Sequence, residues 1–149
     1  MTPEEARSRF AAARIARLAT AGADGRPHLV PVVFAVSGDI VYSAVDAKPK
    51  RTTALRRLAN VRANPALALL VDHYDDADWG ALWWVRAEGR GRVLDPAGET
   101  PSGAGDDPPT EAAEARRAIA LLRERYPQQE ATGAVLAADI ERWSGWSAR

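Results

Sequence analysis

The sequence predicts a mainly β fold, a six-stranded antiparallel barrel with peripheral helices, on three observations. Short apolar or alternating runs recur along the chain, bounded by turn residues such as Asp24-Gly25 and Ser37-Gly38-Asp39. Helical spacing is confined to three separate segments. The order that results is helix, three strands, helix, two strands, helix, strand, which suits hairpin connections better than alternating βαβ units. At 149 residues the chain is read as one domain, 1–149, long enough to bury a core.

The first helix is expected over residues 3–14, "PEEARSRFAAAR", because Thr2 can cap it, Pro3 suits the first helical position and two glutamates face the positive end of the helix dipole. "RIARLATAG" then alternates as a first strand, "ADGRPH" supplies a turn, and "LVPVVFAVSGDIVYSAV" supplies two more strands. Pro31 lies inside the second of these runs. A proline donates no amide hydrogen, so an edge, a bulge or a ligand-facing irregularity is expected there.

From Thr52 the period becomes helical, with Leu55, Leu58, Ala59 and Arg62 recurring until "RANP" ends the segment; a helix over 53–63 follows. "PALALLVDHY" and "ALWWVRAEGRGRVLD" read as strands, the glycines of the second marking a bulge or a barrel bend. Residues 95–110, rich in Pro, Gly, Ser and Asp, are expected to form a flexible surface loop. Thr110 then caps a helix in "TEAAEARRAIALLRERYP", and "GAVLAADIERWSGWS" is the last strand.

Composition excludes several classes. No cysteine is present, which removes disulfides, thiolate metal sites and thiol nucleophiles, and two histidines, His28 and His73, are too few for most histidine metal sites; no metal is expected. Twenty basic and twenty acidic residues cancel, so no protein-wide field attracts nucleic acid. No apolar run approaches a membrane span, and the acidic N-terminus lacks the pattern of a signal peptide, so a cytoplasmic, membrane-free protein is expected.

Against that neutral background one cluster stands out. "VDAKPKRTTALRR" holds the only two lysines, Lys48 and Lys50, with Arg51, Arg56 and Arg57 within ten residues. The loop leaves a strand and enters a helix that Thr52 or Thr53 can cap, so free amides, the helix dipole and several cations converge on one place. Such a junction suits an anion, phosphate above all. Charge alone leaves an idle solvated turn equally open. Arg57 follows Thr53 by one helical turn and can reach the same anion.

Other constellations carry less. Trp79, Trp83, Trp84, Trp143 and Trp146 suit a planar heteroaromatic ligand, but tryptophans in a small barrel more often fill a core or a dimer interface. The acidic run "DHYDDADW" lacks the spacing of a calcium loop, and the Gly-x-Gly of "EGRGRV" has neither a third glycine nor a following helix. No catalytic triad or carboxylate pair has spacing support. An enzyme on this chain would draw its chemistry from a cofactor.

The hairpin "LAT…DGRPHLVPV", the lysine and arginine loop, "NVRANP" and "LWWVRAEGRGRV" together resemble the split β-barrel flavoproteins related to pyridoxamine 5'-phosphate oxidase. The similarity runs from about Ile15 to Trp143 and is strongest to the actinobacterial branch that uses the deazaflavin coenzyme F(420); the alanine- and arginine-rich composition accords with such a source. The resemblance implies an FMN-binding type of split barrel and a homodimer with cofactor sites built from both protomers.

By the same resemblance Pro31, Val32 and Val33 run along the flavin ring, Tyr42 and Ser43 lie near the ring or linker, and Lys48, Lys50, Arg51, Thr52 and Arg57 surround the phosphate. Arg57 stands where relatives often carry lysine, and the preceding loop is longer than in many of them, so the principal phosphate contact stays open among Lys50, Arg51 and Arg57. The implied activity is hydride transfer from F(420) to a small organic substrate, with Trp79, Trp83 or Trp143 walling the substrate pocket. FMN-dependent oxidation, and non-catalytic binding of F(420), FMN or a tetrapyrrole, are the alternatives. Five cations exceed what one FMN phosphate requires, which favours the longer polyanionic tail of F(420).

Overall fold

The computed structural model describes residues 1–46, 51–97 and 110–149, with side chains for all of these except 46, 51–55 and 132. Helix α1 (Pro3–Ala12) begins as the sequence predicts. Thr2 accepts from the Glu5 amide while the Glu5 carboxylate accepts from the Thr2 amide, a reciprocal capping box. The helix buries Ala6 and Phe10, and the Phe10 ring packs on Phe34 at 4.8 Å and edge-on to Trp143 at 5.3 Å.

The strands are β1 (Ala16–Ala21), β2 (Pro27–Val32), β3 (Ala35–Ser37), β4 (Ile40–Asp46), β5 (Ala66–His73), β6 (Trp83–Leu94) and β7 (Ala131–Ser147). Helix α2 (Arg51–Ala63) lies between β4 and β5, and α3 (Glu111–Arg125) between β6 and β7. All strand pairs are antiparallel, in the order β2-β1-β5-β6-β7-β4-β3.

The described residues therefore contain seven strands, not six. The apolar run expected to be one strand breaks at Val33 and Phe34: β2 pairs with β1, β3 pairs with β4, and these pairings lie at opposite edges of the sheet. Phe34 is completely buried between them, under the guanidinium of Arg125 at 5.0 Å. Continuous apolarity hides the break, because both halves bury one face and only the ladder partner changes. The sheet is not closed by hydrogen bonds; its two edge strands are joined by the two-residue link 33–34, a split barrel.

Pro31 fits this arrangement. It sits on edge strand β2, opposite Arg17 of β1, where its missing donor costs no ladder bond on the open side. Turn chemistry is equally local: Gly25 and Gly38 take φ of 76° and 60°, the left-handed conformations that the Asp-Gly and Ser-Gly-Asp turns require.

One face of the sheet encloses the main core, with Leu18, Phe34, Val41, Val71 and Val85 fully buried and α2 adding Leu58 and Val61. The outer face is half covered. Ala115, Ala118, Ile119 and Leu122 of α3 pack on Ala35, Tyr42, Ala44, Val135 and Ala137, and burying a leucine such as Leu122 contributes about 1.5–3 kcal/mol.

Helix α3 does not reach the other half of that face. There the registers align Pro31, Arg17, Leu70, Arg86 and Ser144 in one row across β2, β1, β5, β6 and β7. Between Glu88 and Gly89 the β6–β7 register shifts by one: the extra residue is Glu141, so the bulge expected from the glycines of β6 lies on β7, opposite them.

Candidate cofactor and ligand sites

The cation cluster lies where strand β4 gives way to α2. Lys48 and Lys50 fall outside the described residues, as do the side chains of Arg51 and Thr52; the helix itself starts at Arg51. Its first turn contains no acidic residue. Further along, Arg56 is exposed and Arg57 half-buried.

The helix is firmly seated. Leu58 and Val61 enter the core, and buried Asn60 donates to the Thr20 hydroxyl at 3.1 Å. A Cβ on Gly91 would lie 2.7 Å from both Leu67 and Val61, so glycine there lets α2 approach β6 closely. The anchored part of α2 is its second half, and the first turn carries no acidic residue; a helix start of that kind has amide donors suited to an anion.

The ring-contacting residues expected from the sequence separate by strand alternation. Pro31 is exposed, Val32 is in the main core, and Val33 is half-buried against the cluster under α3. Tyr42 and Ser43 are both buried but point to opposite faces, Ser43 with Val41 and Val45, Tyr42 toward α3.

The Tyr42 hydroxyl donates to Glu114 at 2.7 Å. Arg92 donates to Glu114 at 2.9 and 3.1 Å and to Asp139 at 2.6 and 2.9 Å, tying β6, α3 and β7 together. Burial, then the bond to Glu114, pushes the Tyr42 phenol up to about 12, while Arg92 holds the Glu114 carboxyl below its ordinary range. Sequence reasoning missed this network. Its members are 22 to 72 positions apart and carry no local pattern.

The tryptophans divide three ways. Trp143 is core: it is 9 % exposed, touches Phe10 and donates its indole N–H to Asp39 at 2.9 Å. Trp79 stands out from a short 3-10 turn (Trp79–Ala81) and is 67 % exposed. Trp83 is at the open end of the barrel, stacked on His73 with ring centres 6.3 Å apart and with the Arg9 guanidinium 5.3 Å from its ring.

Two cavities of about 390 Å³ each meet at Trp83. One is lined by Leu70, Tyr74, Leu82, Trp84, Arg86 and Trp146, the other by Arg9, Ala12, Ala13, Arg14, Ile15 and Arg17; Asp72, His73 and Trp83 belong to both. Of the three tryptophans expected at a substrate pocket, Trp83 alone lines these cavities.

The chain matches the family model described as Pyridoxamine 5'-phosphate oxidase over residues 2–147. Among solved structures, a conserved hypothetical protein from Mycobacterium tuberculosis is similar over 100% of this chain and 86% of its own, with TM-score 0.70 and 21% identity. An FAD-binding protein from Mesorhizobium loti is similar over 97% and 94%, with TM-score 0.67 and 23% identity. The heme storage protein HutZ from Vibrio cholerae is similar over 99% and 95%, with TM-score 0.61 and 16% identity. At these identities the likeness is one of fold. No curated protein sequence matches the chain at a significant level.

Proposed function

Because this chain belongs to the pyridoxamine 5'-phosphate oxidase family, we propose that it is a homodimeric oxidoreductase that uses the deazaflavin coenzyme F(420) to reduce a small organic substrate. The observation that carries this reading is the concentration of Lys48, Lys50, Arg51, Arg56 and Arg57 at the entry to α2 in a chain with no net charge. A single FMN phosphate needs fewer cations than that. A longer polyanionic tail accounts for the excess through charge-assisted hydrogen bonds.

F(420), when bound, supplies the hydride. The chain's own part is to bind and orient: the α2 junction holds the anionic end, and Pro31 and Val32 at the end of β2, with Val33 in the link that follows, border the ring. Trp83 supplies an aromatic wall for the substrate. Tyr42 is engaged by Glu114 and buried beneath α3, so the reading assigns it no proton transfer. Rate enhancement then comes from holding the reactants in register and excluding water.

The uncovered half of the outer sheet face supports the homodimer. Leu29, Leu70 and Trp146 stand on it 67 %, 38 % and 48 % exposed. Large apolar side chains gathered on one sheet face favour a self-complementary contact.

Two other readings have their own support. The similarity to an FAD-binding protein favours a flavin, hence FMN in place of F(420). The similarity to a heme storage protein favours a carrier with no turnover. Mixing the protein with reduced F(420) and a panel of enones and quinones separates them: the proposal expects reoxidation of F(420) that depends on protein and acceptor together. Binding of reduced F(420) with no reoxidation by any acceptor overturns the enzymatic part.

A further inference from the structure

The two cavities that meet at Asp72, His73 and Trp83 differ in chemistry. The arm on the sheet face is aromatic and apolar, with Leu70, Leu82, Trp84 and Trp146 in its wall. The arm under the end of α1 is cationic, setting Arg9, Arg14 and Arg17 against one carboxylate, Asp72. Arg17 stands opposite Leu70 in the β1–β5 register, so the arms adjoin with no strand between them.

The arginines are not equally occupied. Arg14 donates to the Arg125 carbonyl and lies over the Tyr126 ring. Arg9 and Arg17 form no ion pair among the described residues, and Arg9 rests on the face of Trp83. Two guanidinium groups thus line the cationic cavity with no ion pair among the described residues, Arg9 on the Trp83 ring and Arg17 beside Leu70 of the aromatic arm.

We infer that this trough binds a small organic anion with a flat apolar body, the body lying on the outer sheet face against Trp84 and Trp146 and the anionic group held at the rim by Arg17, on that face opposite Leu70, with Arg9 from the end of α1. Indole faces favour flat apolar partners, and guanidinium forks favour carboxylate or phosphate over a neutral polar group. A cavity of about 390 Å³ is in the range of small-molecule sites. No residue of α2 lines either cavity among the described residues, so the site is distinct from the phosphate junction. In the proposed dimer a second copy would roof the aromatic arm and leave the cationic arm as the entrance.

Calorimetric titration of the full chain with 2-naphthoate, 2-naphthyl phosphate and uncharged 2-naphthalenemethanol tests this, repeated with FMN and with F(420) present. At least one anion should bind roughly tenfold or more tighter than the alcohol, and the order of the two anions tells carboxylate from phosphate. The Arg9→Gln/Arg17→Gln variant should close that gap while leaving the alcohol's affinity and the melting temperature unchanged. Equal affinity for anions and alcohol, no binding of any of the three, or displacement by FMN or F(420) overturns the inference. The comparison of ligands on the unaltered protein decides it even where the variant folds poorly.

Discussion

Arg92, Glu114, Asp139 and Tyr42 show what single residues contribute. The folded state raises the Tyr42 phenol from its ordinary value of 10 to about 12, so its contribution is fully present below pH 10 and is lost as pH climbs toward 12. Glu114 works in the other direction: its carboxyl is lowered, so its contribution is present above the ordinary carboxylate range and fades as pH falls through it. Melting temperature followed against pH should therefore fall less on the alkaline side in Tyr42→Phe and less on the acid side in Glu114→Gln. At neutral pH the glutamine change should cost about 1–2 kcal/mol, the lower part of the range for charged hydrogen bonds, because Arg92 is 39% exposed. Unaltered pH profiles in both variants would remove the network from the stability account.

The lysine and arginine stretch shows what residue-level reading of sequence achieves here. Its charge and its place before a helix were legible, because both are local properties; the cap expected at Thr52 or Thr53 was not, since the helix already begins at Arg51 and runs through both. The Arg92 network was not, since its partners meet only after β6, α3 and β7 have packed. Tyr42 carries the same lesson: the family resemblance implies a place near a ring, and its burial beneath α3 depends on a helix beginning 69 positions later.

At the scale of elements, caps and turns were readable and partner changes were not. Thr2 and Thr110 begin their helices by accepting from Glu5 and Ala113 amides, as side-chain chemistry dictates. The division of one apolar run into β2 and β3 depends on which edge each half joins, a tertiary decision. The β7 bulge opposite Gly89 makes a sharper test. A Cβ on Gly89 would stand 2.0 Å from the Asp139 carbonyl oxygen, a backbone atom that cannot swing aside. Gly89→Ala should destabilise by about 1–3 kcal/mol through overpacking, read by chemical denaturation. Gly25→Ala makes the comparison, since a Cβ there would meet nothing within 4 Å and the glycine acts through its positive φ. A Gly89→Ala variant as stable as the parent would mean that β6 and β7 can separate there without cost.

For the whole molecule, the half-covered outer face is the organising feature. Helix α3 shields one half, and the other presents Leu29, Leu70 and Trp146. Leu70→Asp places a charge in the middle of the aligned row and should convert a dimer to a monomer in light scattering while the fold persists by circular dichroism. A wild-type monomer at working concentration, or a Leu70→Asp dimer, would contradict the proposed interface. The sequence carried the barrel, its helices and the family resemblance, because periodicity and turn chemistry are repeated along the chain. It could not show which half of the sheet stays uncovered, since Leu29 and Leu70 look like any other strand residues until α3 has taken its place.

The central claim, that the α2 junction holds the polyanionic end of F(420), meets its most direct test in equilibrium titration of the purified protein with F(420), FMN and hemin, followed by fluorescence and absorbance. The account predicts saturable binding of F(420), tighter than that of FMN. It also predicts weakening by about 1.5–3 kcal/mol for each charge-assisted bond removed in Lys50→Ala and Arg51→Ala variants that melt normally. Tight binding of FMN or hemin with none of F(420), or F(420) affinity indifferent to both substitutions, would contradict it.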